Sequence, residues 1–404
     1  MKARTNALSR LFLVLLLVLS SVFSLFGGYI QILLGTDSPT SKLKSDQTIY
    51  SGFGFQASDG AEQTAASGTS FKGVTLIPGG MAFGVKFNTR GVMVVGFDDM
   101  DEQGEKTNPA YDAGIRTKDI ITKINGSAIL SASQLTEAVE SSGGGSITLT
   151  YTRSGKEYTA TIKPKYSNAD GRYKTGLWVR DSGAGIGTVT YINPRDLTFG
   201  GLGHGICDSE TGALIPMDRG VVMGVTIGGV EKGVAGAPGE IKGYFSKDKV
   251  GALYSNTSCG VFGALSQLPS DLKEREMPIA TKNEVKEGDA YIWCTLDDTG
   301  AHKYTIKISQ INRSATGNKC FTVTVTDPAL IEKTGGIVQG MSGSPIIQDG
   351  KLVGAVTHVL INDPSTGYGI FIENMLNASA ARNEVPRAEL IKRPLMNWLR
   401  HELR

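Results

Sequence analysis

The heptapeptide QGMSGSP, residues 339–345, lies between two strand-like apolar runs. Two serines, Ser342 and Ser344, flank Gly343, and Gly340 precedes them. Glycine allows the positive φ angles that a tight turn requires. Such a turn exposes Ser342 Oγ and directs the amides of Gly340 and Ser342 toward one point, where an oxyanion could be bound. The segment therefore predicts a nucleophile loop with these two amides as its oxyanion hole, and an ordinary polar turn is the alternative.

A serine hydroxyl needs a base with a suitable pKa, and histidine is the usual one. His204 lies in FGGLGHGICD, residues 199–208, directly after a predicted strand and far upstream of Ser342. His358 follows the nucleophile loop on the next predicted strand, so it could line the pocket instead. His302 starts a strand and His401 lies in the C-terminal tail. The glycine-bounded setting favours His204 as the general base.

Composition excludes several classes of function. The chain has 404 residues, enough for two or three domains, and its 52 glycines fall in short clusters that favour tight turns between short strands. The formal net charge is +2, so no polyanionic partner is indicated. No long basic run with interleaved aromatic residues occurs in the sequence, which argues against nucleic-acid binding.

Metal and cofactor motifs are equally weak. The four cysteines and four histidines are scattered, without a C-x-x-C or an H-E-x-x-H pattern, so neither a structural zinc site nor any other metal is expected. The glycine clusters GAGIG and GGLGHG lack the G-x-G-x-x-G spacing followed by a helix. We therefore expect no cofactor, and we expect buried free thiols rather than disulfides.

The N-terminus predicts a membrane anchor. Three basic residues precede residues 11–34, a stretch of 24 residues without a charge. About 20 apolar residues span a bilayer, whereas the core of a cleaved signal peptide has about 7–15. We predict a signal or anchor over residues 1–35 with the rest of the chain exported, and a cleaved signal is the alternative. Residues 36–70, rich in Ser, Thr, Gly and Asp, are predicted to be a flexible linker.

Residues 71–165 show a second pattern. Short predicted strands over residues 72–97 are followed by PAYDAGIRTKDIITKING, by a helix from Ser131 to Ser142, and by a hairpin that turns at Ser154-Gly155. This region resembles a PDZ domain of the type attached to bacterial proteases, although Thr117 stands where those modules commonly have glycine. The resemblance implies binding of a peptide or chain terminus.

By the same resemblance, the segment GGMAFGV at residues 79–85 would be the carboxylate-binding loop. Successive amides in a glycine-permitted turn can point at one carboxylate, and the following strand edge can pair with a peptide. The peptide-binding residues would be Gly80, Ala82, Phe83, Gly84 and Val85. An ordinary glycine hairpin is the alternative.

Residues 166–404 form one predicted domain. Strand follows strand to about residue 375, with Gly, Asp and Asn between them, which predicts an antiparallel barrel or sandwich. A G-x-S-G-[GS]-P loop near the C-terminal end of such a chain resembles the chymotrypsin-type serine peptidases. The predicted fold class is therefore mainly β: a chymotrypsin-like double β-barrel preceded by an α+β PDZ domain and an N-terminal membrane anchor.

The anchor, the PDZ module, GLGHGICD and VQGMSGSPIIQDGKLVGAVTHV together resemble the SpoIVB peptidase family of endospore-forming bacteria. The resemblance implies a serine endopeptidase exported across or anchored in the forespore membrane, with its ectodomain in the intermembrane space. It implies cleavage of itself and of a membrane-bound regulator, so that an intramembrane protease activates a late sporulation sigma factor. The alternatives are an anchored PDZ scaffold with an inactive peptidase domain and a general envelope quality-control protease.

The acid of the catalytic triad is implied by this resemblance to be Asp327. The local pattern is compatible, because alternating apolar and threonine residues from Phe321 to Thr326 predict a half-buried strand that ends at Asp327. An Asp-Pro turn, in which Asp327 bonds only nearby backbone, is the alternative. Other acids also stay open: Asp208, Asp289, Asp297 and Asp298.

Overall fold

The structure is a computed structural model that describes residues 49–51, 71, 73–102 and 105–380. The predicted anchor, residues 1–35, lies outside the described residues, as does most of the predicted linker. No helix within the described part of the chain has the length and hydropathy needed to cross a bilayer.

Strands dominate the described residues. In chain order they are β1 Ile49–Ser51, β2 Thr75–Pro78, β3 Ala82–Phe97, β4 Met100–Glu102, β5 Glu105–Thr107, β6 Ile120–Ile124, β7 Ser127–Ala128, β8 Ile147–Arg153, β9 Lys156–Ile162, β10 Lys165–Ser167, β11 Arg172–Lys174, β12 Leu177–Ile192, β13 Thr198–Gly201, β14 Met217–Glu231, β15 Glu240–Thr257, β16 Gly260–Leu265, β17 Met277–Pro278, β18 Gly288–Thr295, β19 Ala301–Ser309, β20 Phe321–Val325, β21 Pro345–Gln348, β22 Lys351–Leu360 and β23 Asp363–Phe371. The helices are α1 Pro109–Asp112, α2 Ala132–Ser141, α3 Pro328–Thr334 and α4 Ile372–Ala380, with a 3₁₀ turn at Ser270–Arg275.

The C-terminal half contains a closed antiparallel barrel in the order β18-β19-β20-β23-β22-β21. Alternation along β20 places Phe321, Val323 and Val325 inside, as the sequence predicts for a half-buried strand. Strand β22 is buried along most of its length because helix α4 also packs against it. The prediction of an antiparallel barrel is confirmed for this half of the domain.

A second ring of six strands precedes it. Strands β12, β13, β16, β15, β14 and β3 are neighbours in that order, and the pairing of β3 with β12 joins the two ends. Inside this ring lie buried apolar side chains that include Phe83, Val85, Phe199 and Val261. The rings of Phe83 and Phe199 meet edge to face at 5.7 Å. Two barrels of this kind are the architecture that the sequence predicts.

The PDZ region is an insertion between two strands of the first barrel. Strands β3 and β12 extend beyond the barrel as an antiparallel pair as far as Phe97 opposite Leu177, and residues 98–176 connect them. Helix α2 lies in this insertion and begins as predicted, with Ser131 Oγ accepting a hydrogen bond from Gln134 N at 3.2 Å. The predicted hairpin is also present as β8 and β9. A separate apolar core, which includes Ile121, Leu149 and Ile162, fills the insertion.

The predicted carboxylate-binding loop is wrong. Gly79 N donates to Thr190 O at 3.0 Å and Gly80 N donates to Val189 O at 2.8 Å, so these amides belong to the sheet. Residues Ala82, Phe83, Gly84 and Val85 lie on β3 between β12 and β14, and the side chains of Phe83 and Val85 are fully buried. The predicted PDZ domain began at residue 71. In the structure, β2 and the first half of β3 complete the first barrel.

Candidate active site

Strand β12 of the first barrel holds the nucleophile loop of the second. Thr188 N donates to Ser342 O at 3.0 Å, and Thr188 Oγ1 donates to Gly340 O at 2.8 Å. Two residues further along the strand, Thr190 Oγ1 donates to Gly343 O at 2.8 Å. Three hydrogen bonds across the barrel interface therefore fix the loop backbone, and all the partners are buried.

Gly343 brings the nucleophile loop against the segment that carries His204. Its φ is +94°, and a Cβ at this position would lie 2.0 Å from Thr188 O and 2.5 Å from Leu202 N. Leu202 is two residues before His204. The two segments that the sequence predicts to cooperate are thus in direct backbone contact, and only glycine fits between them.

The two predicted oxyanion amides are available. Met341 N, Gly343 N and Ser344 N each donate to a backbone carbonyl. Among the residues that the structure describes, Gly340 N and Ser342 N make no hydrogen bond to another protein group. Gly340 has a φ of +98°, which a residue with a side chain rarely adopts. This loop therefore offers two N–H donors that are not used by the protein, as an oxyanion hole requires.

His204 follows β13 and is only 2% exposed. Its Nδ1 lies 2.8 Å from Gly205 O, and because a carbonyl only accepts, Nδ1 carries the proton in this arrangement. Neutral histidine protonated on Nδ1 has its lone pair on Nε2, which is the tautomer that a general base for serine needs. Burial lowers the pKa of His204 below its ordinary value, and the hydrogen bond to Gly205 offsets a part of that effect.

This lowered pKa predicts a pH-dependent stability. In the unfolded chain His204 takes up a proton at a pH of about 6.5, whereas in the folded protein it does so only at a lower pH. The contribution of His204 to the free energy of unfolding is therefore fully present above a pH of about 6.5 and is lost as the pH falls below it. We expect the free energy of unfolding of the wild type to fall more steeply between pH 6.5 and 5 than that of His204→Gln, by up to about 1.4 kcal/mol per pH unit. Urea unfolding of both proteins across this range measures the difference. Parallel pH curves would show that His204 titrates normally.

The carboxylate of Asp327 is bound by backbone amides in this structure. It is the N-cap of α3: Oδ1 accepts from Ala329 N at 3.0 Å and Leu330 N at 3.1 Å, and Oδ2 accepts from Thr305 N at 3.2 Å. Proline directly after an N-cap aspartate is a common helix start, so the local sequence supports this role. Three backbone amides therefore engage the Asp327 carboxylate, and His204 Nδ1, the atom that a triad acid would bind, lies 2.8 Å from Gly205 O. The assignment of Asp327 as the triad acid stays a prediction.

Two of the other candidate acids, Asp208 and Asp297, have partners of their own. Asp208 is fully buried, with Oδ2 2.7 Å from Arg180 Nε and Oδ1 accepting from Thr211 N at 2.9 Å. Asp297 pairs with Lys333, which holds the pKa of the carboxyl well below its usual range. Asp289 lies on β18. The ring beside His204 is instead that of His358, at 5.0 Å between centroids.

Buried cysteines do not compete with Ser342 as nucleophiles. Cys259, Cys294 and Cys320 are free thiols, as predicted. Burial raises the pKa of Cys294 and of Cys320 to about 12, so both stay protonated at neutral pH. The thiolate is the reactive form of cysteine. Serine is therefore the better candidate nucleophile in this part of the molecule.

Sequence reasoning missed the residues that support the site. Thr188 and Thr190 lie on β12, far from the nucleophile loop in the chain, and nothing in their local sequence marks them. Thr357 was missed as well: its carbonyl accepts a hydrogen bond from Ser342 Oγ at 2.9 Å. These contacts depend on how the two barrels meet, which periodicity does not report.

The profile of the SpoIVB peptidase S55 family matches residues 171–376, half of the chain, and a PDZ-domain profile matches residues 79–163. The PDZ domain of the SdrC-like protein of Listeria monocytogenes is 24% identical, covering 22% of this chain and 87% of that chain, with a TM-score of 0.19. The active form of the Rv3671c protease of M. tuberculosis is 14% identical, covering 49% of this chain and 74% of that chain, with a TM-score of 0.28.

One curated relative matches locally. It is the Lactococcus lactis subsp. lactis (strain IL1403) protein named "Putative zinc metalloprotease LL2128", which is 35% identical over 75 residues. The match covers 19% of this chain, and the chain spans only 17% of the length of that protein.

A double barrel, a nucleophile loop with two available amides and an inserted PDZ module define the class: a PDZ-containing serine endopeptidase. Within that class, the chain belongs to the SpoIVB peptidase S55 family. The family profile spans both His204 and Ser342.

Proposed function

We propose that this chain cleaves proteins through Ser342 as nucleophile and His204 as general base. His204 takes the Ser342 Oγ proton as Oγ attacks the scissile carbonyl, and then gives a proton to the leaving amine. The amides of Gly340 and Ser342 bind the oxyanion of the tetrahedral intermediate. The single observation that carries this proposal is the nucleophile loop, whose two predicted oxyanion amides alone lack a protein partner while its other amides are bonded.

A fluorophosphonate probe tests the nucleophile. The purified full chain is reacted with the probe, and the adduct is located by mass spectrometry. We expect the adduct on Ser342. An adduct on another residue would overturn the assignment.

The substrate is proposed to be a protein in or at a membrane. The family resemblance favours an enzyme exported across or anchored in the forespore membrane that acts in the space between the two sporulation membranes. There it cleaves itself and a membrane-bound regulator, so that an intramembrane protease activates a late sigma factor. Incubation of the full chain with a membrane-bound candidate regulator, followed by N-terminal sequencing of the fragments, tests this role.

We propose that the PDZ insertion selects the protein substrate without taking part in the chemistry. Replacement of residues 98–176 by Asn-Gly would join Phe97 to Leu177, which are already paired, through a two-residue hairpin turn. We expect this variant to keep Ser342 labelling within about threefold of the wild type but to lose cleavage of the protein substrate. Deletion of residues 72–160 is the contrast: it removes β2 and β3 from the first barrel and should abolish labelling. Equal loss in both variants would assign the insertion a folding role.

Two other functions are distinguished by the same measurements. An anchored PDZ scaffold with an inactive peptidase domain would bind peptides but show no Ser342 adduct in any variant. A general envelope quality-control protease would cleave many unfolded proteins at similar rates. We favour an active peptidase over the scaffold because the loop geometry retains what catalysis needs. The regulatory role over general quality control rests on the family resemblance.

A further inference from the structure

The candidate active site is closed in this structure. Ser342 is 0% exposed and His204 is 2% exposed, so a peptide carbonyl has no approach to Ser342 Oγ. The serine hydroxyl donates to Thr357 O at 2.9 Å. Neither of two surface cavities of about 300 Å³ among the described residues is lined by Ser342 or His204. Proteolysis through Ser342 therefore requires that some element first moves away.

The loop between β14 and β15 is the element that reaches the site. We call this loop together with the first two residues of β15, residues 232–241, the arm. Although it belongs to a hairpin of the first barrel, the arm is bonded to the second barrel at three places. Gly233 N donates to Thr334 O and Gly236 N donates to Ile361 O, each at 2.8 Å.

The third attachment lies directly before the nucleophile loop. Ile241 N donates to Gln339 O, and Gln339 N donates to Gly239 O, both at 2.8 Å. Glu240 and Gln339 are therefore paired as in a parallel sheet. Gln339 precedes Gly340, one of the two proposed oxyanion donors. The arm thus occupies backbone groups at the entrance to the oxyanion hole.

The side chain of Ile241 packs against the α-carbon of Gly340. It is fully buried, and a Cβ on Gly340 would lie 3.0 Å from Ile241 Cβ and 3.3 Å from its Cγ1 and Cδ1. These distances place the isoleucine in contact with the face of Gly340. Ile241 therefore holds the arm against the residue that carries one of the two proposed oxyanion donors.

We propose that the arm is an autoinhibitory strap that blocks the active site until it is released from Gln339. This inference rests on the proposed function of Ser342. The attachments are backbone hydrogen bonds, and the net contribution of any one of them to stability is small because water replaces it on release. Release is therefore within reach of a bound partner or substrate that competes for the same edge.

A reversible lock tests the strap. In the double variant Glu240→Cys/Gln339→Cys, the two Cα atoms are neighbours in a sheet and fall within the range that a disulfide bridges. We expect oxidation of the full-length double variant to slow fluorophosphonate labelling of Ser342 at least tenfold and reduction to restore it. Wild type taken through the same redox cycle controls for the native thiols. Equal labelling of the locked and reduced forms would overturn the proposal.

An opening variant provides the converse test. Ile241→Ala removes the side chain that packs against Gly340 and should loosen the arm. We expect labelling of Ser342 to be at least threefold faster. Ile292→Ala is its matched control, because Ile292 is a fully buried isoleucine on β18 and its truncation destabilises the domain without uncovering the site. Thermal unfolding verifies that both variants fold at the assay temperature. Acceleration in both variants, or in neither, would contradict the strap.

The outcomes separate this inference from the proposed function. If Ser342 were labelled at the same rate in the wild type, the oxidised double-cysteine variant and Ile241→Ala, the strap proposal would be wrong and the assignment of Ser342 as nucleophile would stand. Absence of a Ser342 adduct in every protein would overturn both.

Discussion

Ser342→Ala is expected to lower peptidase turnover about 10⁶-fold, because loss of the nucleophile removes the covalent route altogether. The fold should survive, since the hydrogen bond from Ser342 Oγ to Thr357 O contributes about 1 kcal/mol. Single-turnover cleavage of a protein substrate and fluorophosphonate labelling both measure the loss. Thermal unfolding of the variant verifies that the loss is chemical.

Ser344→Ala is the matched control for that experiment. Ser344 is also fully buried in the nucleophile loop, and its Oγ donates to Met341 O at 2.7 Å. The substitution removes a loop hydrogen bond of about 1 kcal/mol and keeps the nucleophile. We expect measurable activity. If Ser344→Ala were inactive and Ser342→Ala active, Ser344 would be the nucleophile and the assignment of Ser342 would be wrong.

Gly343→Ala should both destabilise the domain and abolish labelling. The new Cβ would meet only backbone, with Thr188 O at 2.0 Å and Leu202 N at 2.5 Å, so neither neighbour can rotate away. Overpacking costs about 1–3 kcal/mol and the positive φ adds about 1–2 kcal/mol. Displacement of the oxyanion amides should lower the labelling rate at least about 10²-fold. Urea unfolding and probe kinetics measure the two effects.

Gly350→Ala is the control that separates the effect of the steric clash at Gly343 from the effect of its positive φ. Gly350 has a φ of +73° in the turn between β21 and β22, and a Cβ there would meet nothing within 4 Å. The substitution carries the same backbone strain without the clash. We expect a loss of about 1 kcal/mol in stability and normal labelling. If both glycine variants behaved alike, the contact between Gly343 and Leu202 would have no role in assembling the site.

Local features of the fold were readable from the sequence because their causes are local. The N-cap Ser131 of α2 and the turn at Ser154-Gly155 each depend on residues within a few positions of one another. The strand that ends before Asp327 follows from alternation alone. The nucleophile loop was recognisable for the same reason, since its glycine spacing defines the turn.

The prediction that residues 79–85 form a carboxylate-binding loop is wrong because these residues pair with a strand that is distant in the sequence. Their glycine pattern suits a carboxylate-binding loop, but Gly79 and Gly80 donate to β12, more than 100 residues later in the chain. The capping role of Asp327, in contrast, has a local cause. Ala329 and Leu330, two and three residues further on, engage its carboxylate as a helix cap, and Pro328 marks this helix start in the sequence.

The strand-rich class, the PDZ pattern and the glycine-framed serine and histidine follow from the sequence alone. Only the folded structure shows that the PDZ region interrupts the first barrel, that Thr188 and Thr190 hold the nucleophile loop, and that Ile241 packs against Gly340. The difference lies in the sequence separation of the interacting residues. Turns, caps and alternation arise from neighbouring residues, whereas strand order and contacts between barrels depend on which distant segments bury the most surface together.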